Sequence, residues 1–328
     1  MAKSILVVGG AGYVGSHSVK LLSEQGYRVS VVDNFVTGHK SFCKWGDYFE
    51  TDISDSQSLD TVLKKVKPDA VLNFAAHTYV GESVQDPDKY YRNNVFGTLS
   101  LVNAMRKINC KKLVFSSSCA VYGVPNKVPI DETEKKDPIS PYGFTKFVVE
   151  RMLEDFSTAY GMNSVSLRYF NAAGADPDCE IGENHIPETH LIPLILMVAA
   201  GLRDNITIYG DDYQTPDGTC VRDYIHVCDL ASAHVKALEY LLDGKSTTAV
   251  NLGVGRGYSV KEIIACVNKV TGREIPVIIG KRRPGDPAQL VADPDLAHKL
   301  LNWSARYTDI ELTIEHAWSW LKKQNLSE

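Results

Sequence analysis

Between residues 5 and 168 the chain alternates short, mostly apolar runs with longer stretches in which apolar positions recur every three or four residues. The runs 5–8, 29–32, 70–74, 113–116 and 165–168 are short and mostly apolar, the pattern of strands buried on both faces. The stretches 14–25, 56–66, 90–107 and 141–160 carry the helical period. Strand then helix, repeated, requires right-handed crossovers. The pattern therefore predicts an α/β fold, a Rossmann-type doubly wound parallel sheet. After Asn171 the rhythm changes: residues 172–189 are rich in Gly, Pro, Asp and Glu, and irregular alternation follows. The expected division is a first domain over 1–170, with 219–253 returning to it because 221–242 again reads as strand then helix. A smaller C-terminal α/β region covers 171–328.

Composition narrows the classes of partner. The chain has 328 residues, 44% hydrophobic and 23% charged, with a net charge of −5. Its lysines and arginines are scattered singly, so no polyanion-binding surface is expected and nucleic acid is excluded as a partner. The seven cysteines are odd in number and widely spaced, with no Cys-x-x-Cys pair. That usage points to a reducing compartment, the cytoplasm. The opening MAKSILVVGGAG breaks into glycines after a few apolar residues, and the apolar run 191–200 is short and holds Pro193. No membrane association is expected.

Candidate chemistry begins where the first strand ends. Gly9, Gly12 and Gly15 sit in GGAGYVG between a predicted strand and a predicted helix. That context allows a tight turn, close approach of backbone to a pyrophosphate, and an anion at the positive helix end. Asp33 ends the second strand at the spacing of an acid that binds ribose hydroxyls. Its charge opposes a 2′-phosphate, so NAD is favoured over NADP.

A second constellation lies in SPYGFTK. Ser140 and Pro141 are a good N-cap and first helical residue, which places Tyr142 in the first turn and Lys146 one turn on, on the same face. A tyrosine, with a pKa of about 10, is a poor base at neutrality. A neighbouring ammonium, a cationic nicotinamide ring and a helix N-terminus each favour its phenolate. A Tyr/Lys pair at this spacing is also common on solvated helix faces. The serines 116–118, at the end of the 113–116 strand where parallel sheets present ligands, favour chemistry over surface.

GGAGYVGSH, FAAHTYVGES, NNVFGT, FSSSCAVYG, SPYGFTK, RYFNAAGA, DGTCVRDYIHVCDLA and RRPGDPA together resemble the extended short-chain dehydrogenase/reductase superfamily, and within it the 4-epimerases of UDP-hexoses. The resemblance covers nearly the whole chain. It implies reversible inversion at C4 of UDP-glucose and UDP-galactose through a 4-keto sugar, with tightly bound NAD and a homodimer pairing segments 90–107 and 141–160. It implies that Tyr142 is base and acid at the 4-hydroxyl, that Lys146 holds the nicotinamide ribose and lowers the Tyr142 pKa, and that Ser118 steadies the 4-oxygen. By the same resemblance Gly9, Gly12, Tyr13, Val14, Gly15, Asp33, Asn34, Asp52, Ile53, Phe74, Ala75, Ala76, Asn93, Ser116, Tyr142, Lys146 and Tyr169 line the cofactor. The UDP-sugar falls to Ser118, Tyr142, Asn171, Leu191, Tyr209, Arg222, Arg283 and Asp286, the arginines on the diphosphate, Tyr209 on uracil and Asp286 on the uridine ribose.

Several positions depart from that pattern. Val8 stands for a threonine, Thr78 for a cofactor-contacting lysine and His190 for an asparagine, while Leu290 lies where the sugar 2-substituent is accommodated. UDP-xylose/UDP-arabinose and UDP-N-acetylhexosamines therefore stay open as alternative substrates. Dehydratases and decarboxylases on this scaffold need acid or base side chains after the catalytic serine; here Cys119 and Ala120 stand there. A non-catalytic NAD sensor has no use for Ser118, Tyr142 and Lys146 together. Cys179, His185 and His190 share a loop but fit no standard zinc spacing, so no metal is expected.

Overall fold

The computed structural model describes residues 2–283 and 285–325; Pro284 of the RRPGDPA block lies outside the described residues. Its main sheet is built from β1 (Ser4–Val8), β2 (Arg28–Asp33), β3 (Asp47–Glu50), β4 (Ala70–Asn73), β5 (Lys112–Ser116) and β6 (Asn163–Tyr169). The C-terminal half contributes β7 (Asn171–Ala173), β8 (Ile206–Tyr209), β9 (Val221–His226), β10 (Thr248–Leu252), β11 (Gly257–Ser259), β12 (Val277–Gly280) and β13 (Gln289–Leu290). The order of the main sheet is β10-β6-β5-β4-β1-β2-β3, parallel throughout. The sequence pattern misses β3 and β10, the two edges; β3 reads DYFE and is largely exposed, so it lacks the apolar run that marks the central strands.

Alternate residues of β1 serve opposite faces, as a parallel sheet covered on both sides demands. Ile5 and Val7 pack with Val19 and Leu22 of α1 (Tyr13–Glu24), and on that face lie Leu230 and Leu238 of the helix Val227–Leu242. Leu6 and Val8 pack on the other face with α2 (Ser56–Val66), Leu101 and Met105, and Val149 and Leu153. The expected helix over 90–107 is broken into three: Pro87–Tyr90, a π-helical segment Tyr91–Gly97, and Thr98–Lys107. Gly97 has no room for a side chain, since a Cβ there would lie 2.5 Å from Ile53 Cγ2.

Residues 219–253 divide between the two halves: β9 pairs with β7, β11 and β13 in the small sheet, whereas Val227–Leu242 and β10 belong to the main sheet. A separate core joins Ile192, Ile195, Ile206, Ile263 and Ile314 in the C-terminal half. No helix among the described residues is long and apolar enough to cross a membrane.

Candidate active site

β1 leads into Gly9, whose φ of +76° and close approach to β4 exclude a side chain: a Cβ there would lie 2.6 Å from the Ala75 amide nitrogen. One at Gly15 would lie 2.2 Å from the Gly9 carbonyl oxygen. Gly12 caps α1 with no side-chain hydrogen bond, and the first turn, which opens with Tyr13 and Val14, holds no acidic residue. An uncapped, uncontested positive helix end behind a flat glycine turn fits a pyrophosphate. Asp33, at the end of β2, accepts from the Ala11 amide at 3.0 Å and the Phe35 amide at 2.9 Å. Burial lifts its pKa above the ordinary range against the pull of those amides. A buried carboxylate beside the glycine turn suits ribose hydroxyls, so the crevice fits a dinucleotide.

The other expected cofactor residues line the same C-terminal edge of the sheet. Asn34 donates to Asp52 at 2.8 Å. Burial works to raise the Asp52 pKa, but hydrogen bonds from Ser54 and Asn34 outweigh it and leave the carboxyl below its usual value. Phe74, Ala75 and Ala76 follow β4, with the Ala75 amide donating to Asn73 at 3.1 Å. Asn93 lies in the π-helical segment and donates to Asn94 at 2.9 Å. Asn94 binds both the amide and the carbonyl of His77 and donates to Thr145 at 3.1 Å. The wider π turn places this buried asparagine between the loop after β4 and the helix Pro141–Tyr160. The sequence gives no signal for that role beyond an Asn next to Asn93.

Ser140 accepts from the Gly143 amide at 3.1 Å, and Pro141 opens the helix Pro141–Tyr160. Tyr142 is thereby fixed in the first turn, 9% exposed and near enough to Ser118 for that hydroxyl to favour its phenolate. Ser118 caps the 3₁₀ turn after β5, accepting from the Ala120 amide at 3.2 Å. Lys146 is buried, its Nζ donating to the Ser116 carbonyl at 2.7 Å and lying 5.9 Å from the Tyr142 ring. The Ser116 hydroxyl meets the Tyr169 hydroxyl at 2.7 Å. Burial raises the Tyr142 pKa well above its ordinary value, Tyr169 adding to the rise and Ser118 opposing it. Burial also pulls Lys146 down to about 7, with Glu150 the opposing influence. The environment of the chain alone thus holds Tyr142 as a phenol.

In the C-terminal half Arg222 pairs with Asp286, and the Arg283 guanidinium lies 4.1 Å from the Tyr209 ring centroid. The groups expected on diphosphate, uracil and ribose thus contact one another. Asn171 begins β7 and Leu191 begins the helix Leu191–Ala199, each partly exposed. Thr78 is exposed, Val8 is buried in the core, and Leu290 pairs in register with Arg222. His190 precedes the helix Leu191–Ala199 and joins His185, Glu183 and Glu188, whose ligand-type atoms lie within 4.8 Å of one another; Cys179 is not in this group. Burial opposes protonation of both imidazoles, but Glu183 and Glu188 outweigh it, lifting His185 to about 9 and His190 to about 10. Two cationic imidazoles against two carboxylates make a charge-balanced knot. The His185 ring sits edge-on to Tyr13 and Tyr79, and Tyr13 donates to the Gly174 carbonyl at 2.6 Å, so the knot fastens the C-terminal half to the glycine turn.

The profile of the NAD dependent epimerase/dehydratase family matches residues 5–253. The chain is 51% identical over 323 residues to a UDP-glucose 4-epimerase of Rhizobium leguminosarum bv. trifolii, with 98% of each sequence covered. It superposes with a TM-score of 0.95 on the crystal structure of the Brucella ovis UDP-glucose 4-epimerase in complex with NAD, at 54% identity and covering 97% of this chain and 98% of that one. The Bifidobacterium longum UDP-glucose 4-epimerase in complex with NAD+ and UDP matches with a TM-score of 0.93 at 38% identity, covering 98% and 99%.

Proposed function

The chain belongs to the NAD dependent epimerase/dehydratase family, and from that premise we propose that it interconverts UDP-glucose and UDP-galactose by inversion at C4 of the sugar. The observation that carries this reading is Tyr142 beside Ser118 at the mouth of β5, with Lys146 one turn behind and the dinucleotide crevice alongside. NAD, when bound, supplies the acceptor and later the donor of the C4 hydride.

Each residue then has a bounded task. Tyr142 takes the proton of the sugar 4-hydroxyl and returns it to the reduced oxygen, and Ser118 hydrogen-bonds that oxygen in both directions. Lys146, in its ammonium form, stands against the Tyr142 ring and favours phenolate when the substrate arrives. Cys119 and Ala120, next after Ser118, offer no carboxylate or ammonium for elimination, so the 4-keto sugar has only reduction open to it. Arg222, Arg283, Tyr209 and Asp286 grip UDP, with Asn171 and Leu191 at the diphosphate-sugar end. Binding energy is thereby placed on the nucleotide and the hexose ring is left free to present either face. For the substrate to enter, the Arg222–Asp286 and Arg283–Tyr209 contacts exchange for contacts to UDP.

The protein acts as a homodimer through segments 90–107 and 141–160, where Phe96 (51% exposed) and Phe144 (42%) offer apolar surface that a second copy would cover. It works in the cytoplasm, a location in keeping with seven free thiols. Turnover of UDP-galactose, UDP-N-acetylgalactosamine and UDP-xylose measured side by side tests the substrate assignment: UDP-galactose is converted fastest, and a faster rate with either of the others overturns it.

A further inference from the structure

Directly behind the Tyr142/Lys146 face of the helix Pro141–Tyr160 lies a buried ion pair that the reaction described above does not use. Glu150, one turn beyond Lys146, is 5% exposed and Arg168, on β6, is 3% exposed. The guanidinium forks onto the carboxylate, with Nε 2.9 Å from Oε1 and the second nitrogen 2.5 Å from Oε2. The remaining arm of Arg168 donates to the Tyr122 hydroxyl at 2.9 Å, which in turn donates to Asn251 of β10 at 2.7 Å. Glu150 also accepts from the Ser117 hydroxyl at 2.5 Å. Ser117 stands between Ser116, whose carbonyl receives Lys146, and Ser118, which meets Tyr142.

One carboxylate is therefore bonded to the middle residue of a three-serine run whose outer two residues contact the lysine and the tyrosine. If the only task were to pin the helix to the sheet, apolar packing would serve at least as well, since burying two charges is costly. The placement adds two things apolar packing lacks: a bond that fixes the serine run, and a negative charge beside a buried ammonium. The charged and titratable side chains around Lys146 are Tyr142 and Glu150 on its own helix and Tyr169 on β6, with Arg168 beyond Glu150. From β5 it meets the Ser116 carbonyl, at 2.7 Å, and the uncharged Phe115 ring, at 4.9 Å.

We propose that Glu150 is the positioning residue of the Ser118, Tyr142 and Lys146 set, clamping Ser117 against the helix through Arg168 and supplying a counter-charge that favours the Lys146 ammonium. The direction of influence agrees: burial pulls Lys146 down and Glu150 is the group that raises it. This inference rests on the proposed reaction, and its test separates the two. In the NAD-loaded protein, the titration of Lys146 is followed by NMR of the lysine ε-carbon, assigned with Lys146→Met, and the pH profile of kcat is recorded beside it.

In Glu150→Gln the Lys146 midpoint falls by about one pH unit. The alkaline limb of kcat moves down with it, KM for UDP-galactose stays within about twofold, and Glu150→Asp restores much of the shift. A structural ion pair alone lowers the melting temperature and leaves the Lys146 midpoint where it was, and that result overturns the proposal. Should Glu150→Gln not fold, the double variant Glu150→Gln/Arg168→Met removes the charge together with its buried partner. A lowered Lys146 midpoint there upholds the proposal and a wild-type midpoint overturns it. Absence of UDP-galactose turnover in the wild-type protein defeats the reaction instead, while the Lys146 midpoint is still read without turnover.

Discussion

Lys146 Nζ donates to the main-chain carbonyl of Ser116 at 2.7 Å, so the helix that carries Tyr142 is tied to the end of β5 by its own lysine. The bond fixes the distance between two elements that the chain reaches 30 residues apart. The acceptor is neutral, and burial outweighs the pull of Glu150, so the charge of the ammonium is lost early as pH rises.

Replacing Lys146 by methionine tests that balance. Its pKa is about 7 in the folded protein, below the ordinary lysine value. Between pH 7 and about 10.4 the unfolded chain binds the extra proton, so stability rises with pH in that window. Thermal unfolding of the wild type is expected to show this rise, and Lys146→Met to flatten it while lowering kcat by about 10²–10⁴-fold. An unchanged slope in the variant contradicts the burial argument.

The histidine knot has the opposite sign. His185 and His190 are raised to about 9 and about 10, so their contribution to stability is complete below the unfolded value of 6.5 and is lost as pH rises through 9–10. Glu188, for which the imidazoles outweigh the effect of burial, is pulled down to about 2; its contribution is present above its unfolded value and is lost as pH falls toward 2. The melting temperature of His185→Gln/His190→Gln, compared with wild type from pH 6 to 10, is expected to lie lower at pH 6 and converge at pH 10.

Gly15→Ala places a methyl group 2.2 Å from the Gly9 carbonyl oxygen, backbone that has nowhere to move. The expected cost is about 1–3 kcal/mol of stability, together with loss of bound NAD on purification. Cofactor content by absorbance and a melting curve read both. Retention of full NAD content would contradict the assignment of this turn to the pyrophosphate.

Arg222→Lys keeps the charge and loses the planar fork. Because the grip on UDP is uniform through the reaction, KM for UDP-galactose is expected to rise about 10–100-fold with kcat little changed. A fall in kcat at constant KM would place Arg222 at the reacting carbon instead.

The sequence made the central strands, the glycine turn and the start of the Tyr142 helix legible because each is written locally: an apolar run, a spacing of glycines, a Ser-Pro cap. The edge strand β3 was hidden because an exposed strand needs no apolar run, and the π-helical segment because its period resembles that of the α-helix around it. Asn94, Glu150 and Arg168 were missed for a different reason: their partners lie on other elements, and a single polar residue in an amphipathic pattern does not announce a buried network. The Arg222–Asp286 pair joins residues 64 positions apart and could not be read from spacing. Lys146 shows the same limit in energetic form. A Tyr-x-x-x-Lys pair led to the expectation of a ready cation beside Tyr142, whereas full burial, invisible in the motif, lowers the lysine and raises the phenol.

Everything proposed for the reaction turns on the Tyr142 hydroxyl, and Tyr142→Phe removes that atom while leaving ring, helix cap and Lys146 in place. The direct measurement is to mix NAD-loaded wild type and Tyr142→Phe with UDP-galactose and follow UDP-glucose formation, with NAD content and melting temperature as controls. The account predicts normal cofactor content and stability with turnover lowered by about 10²–10⁴-fold. Conversion of UDP-galactose by Tyr142→Phe at near the wild-type rate would contradict it.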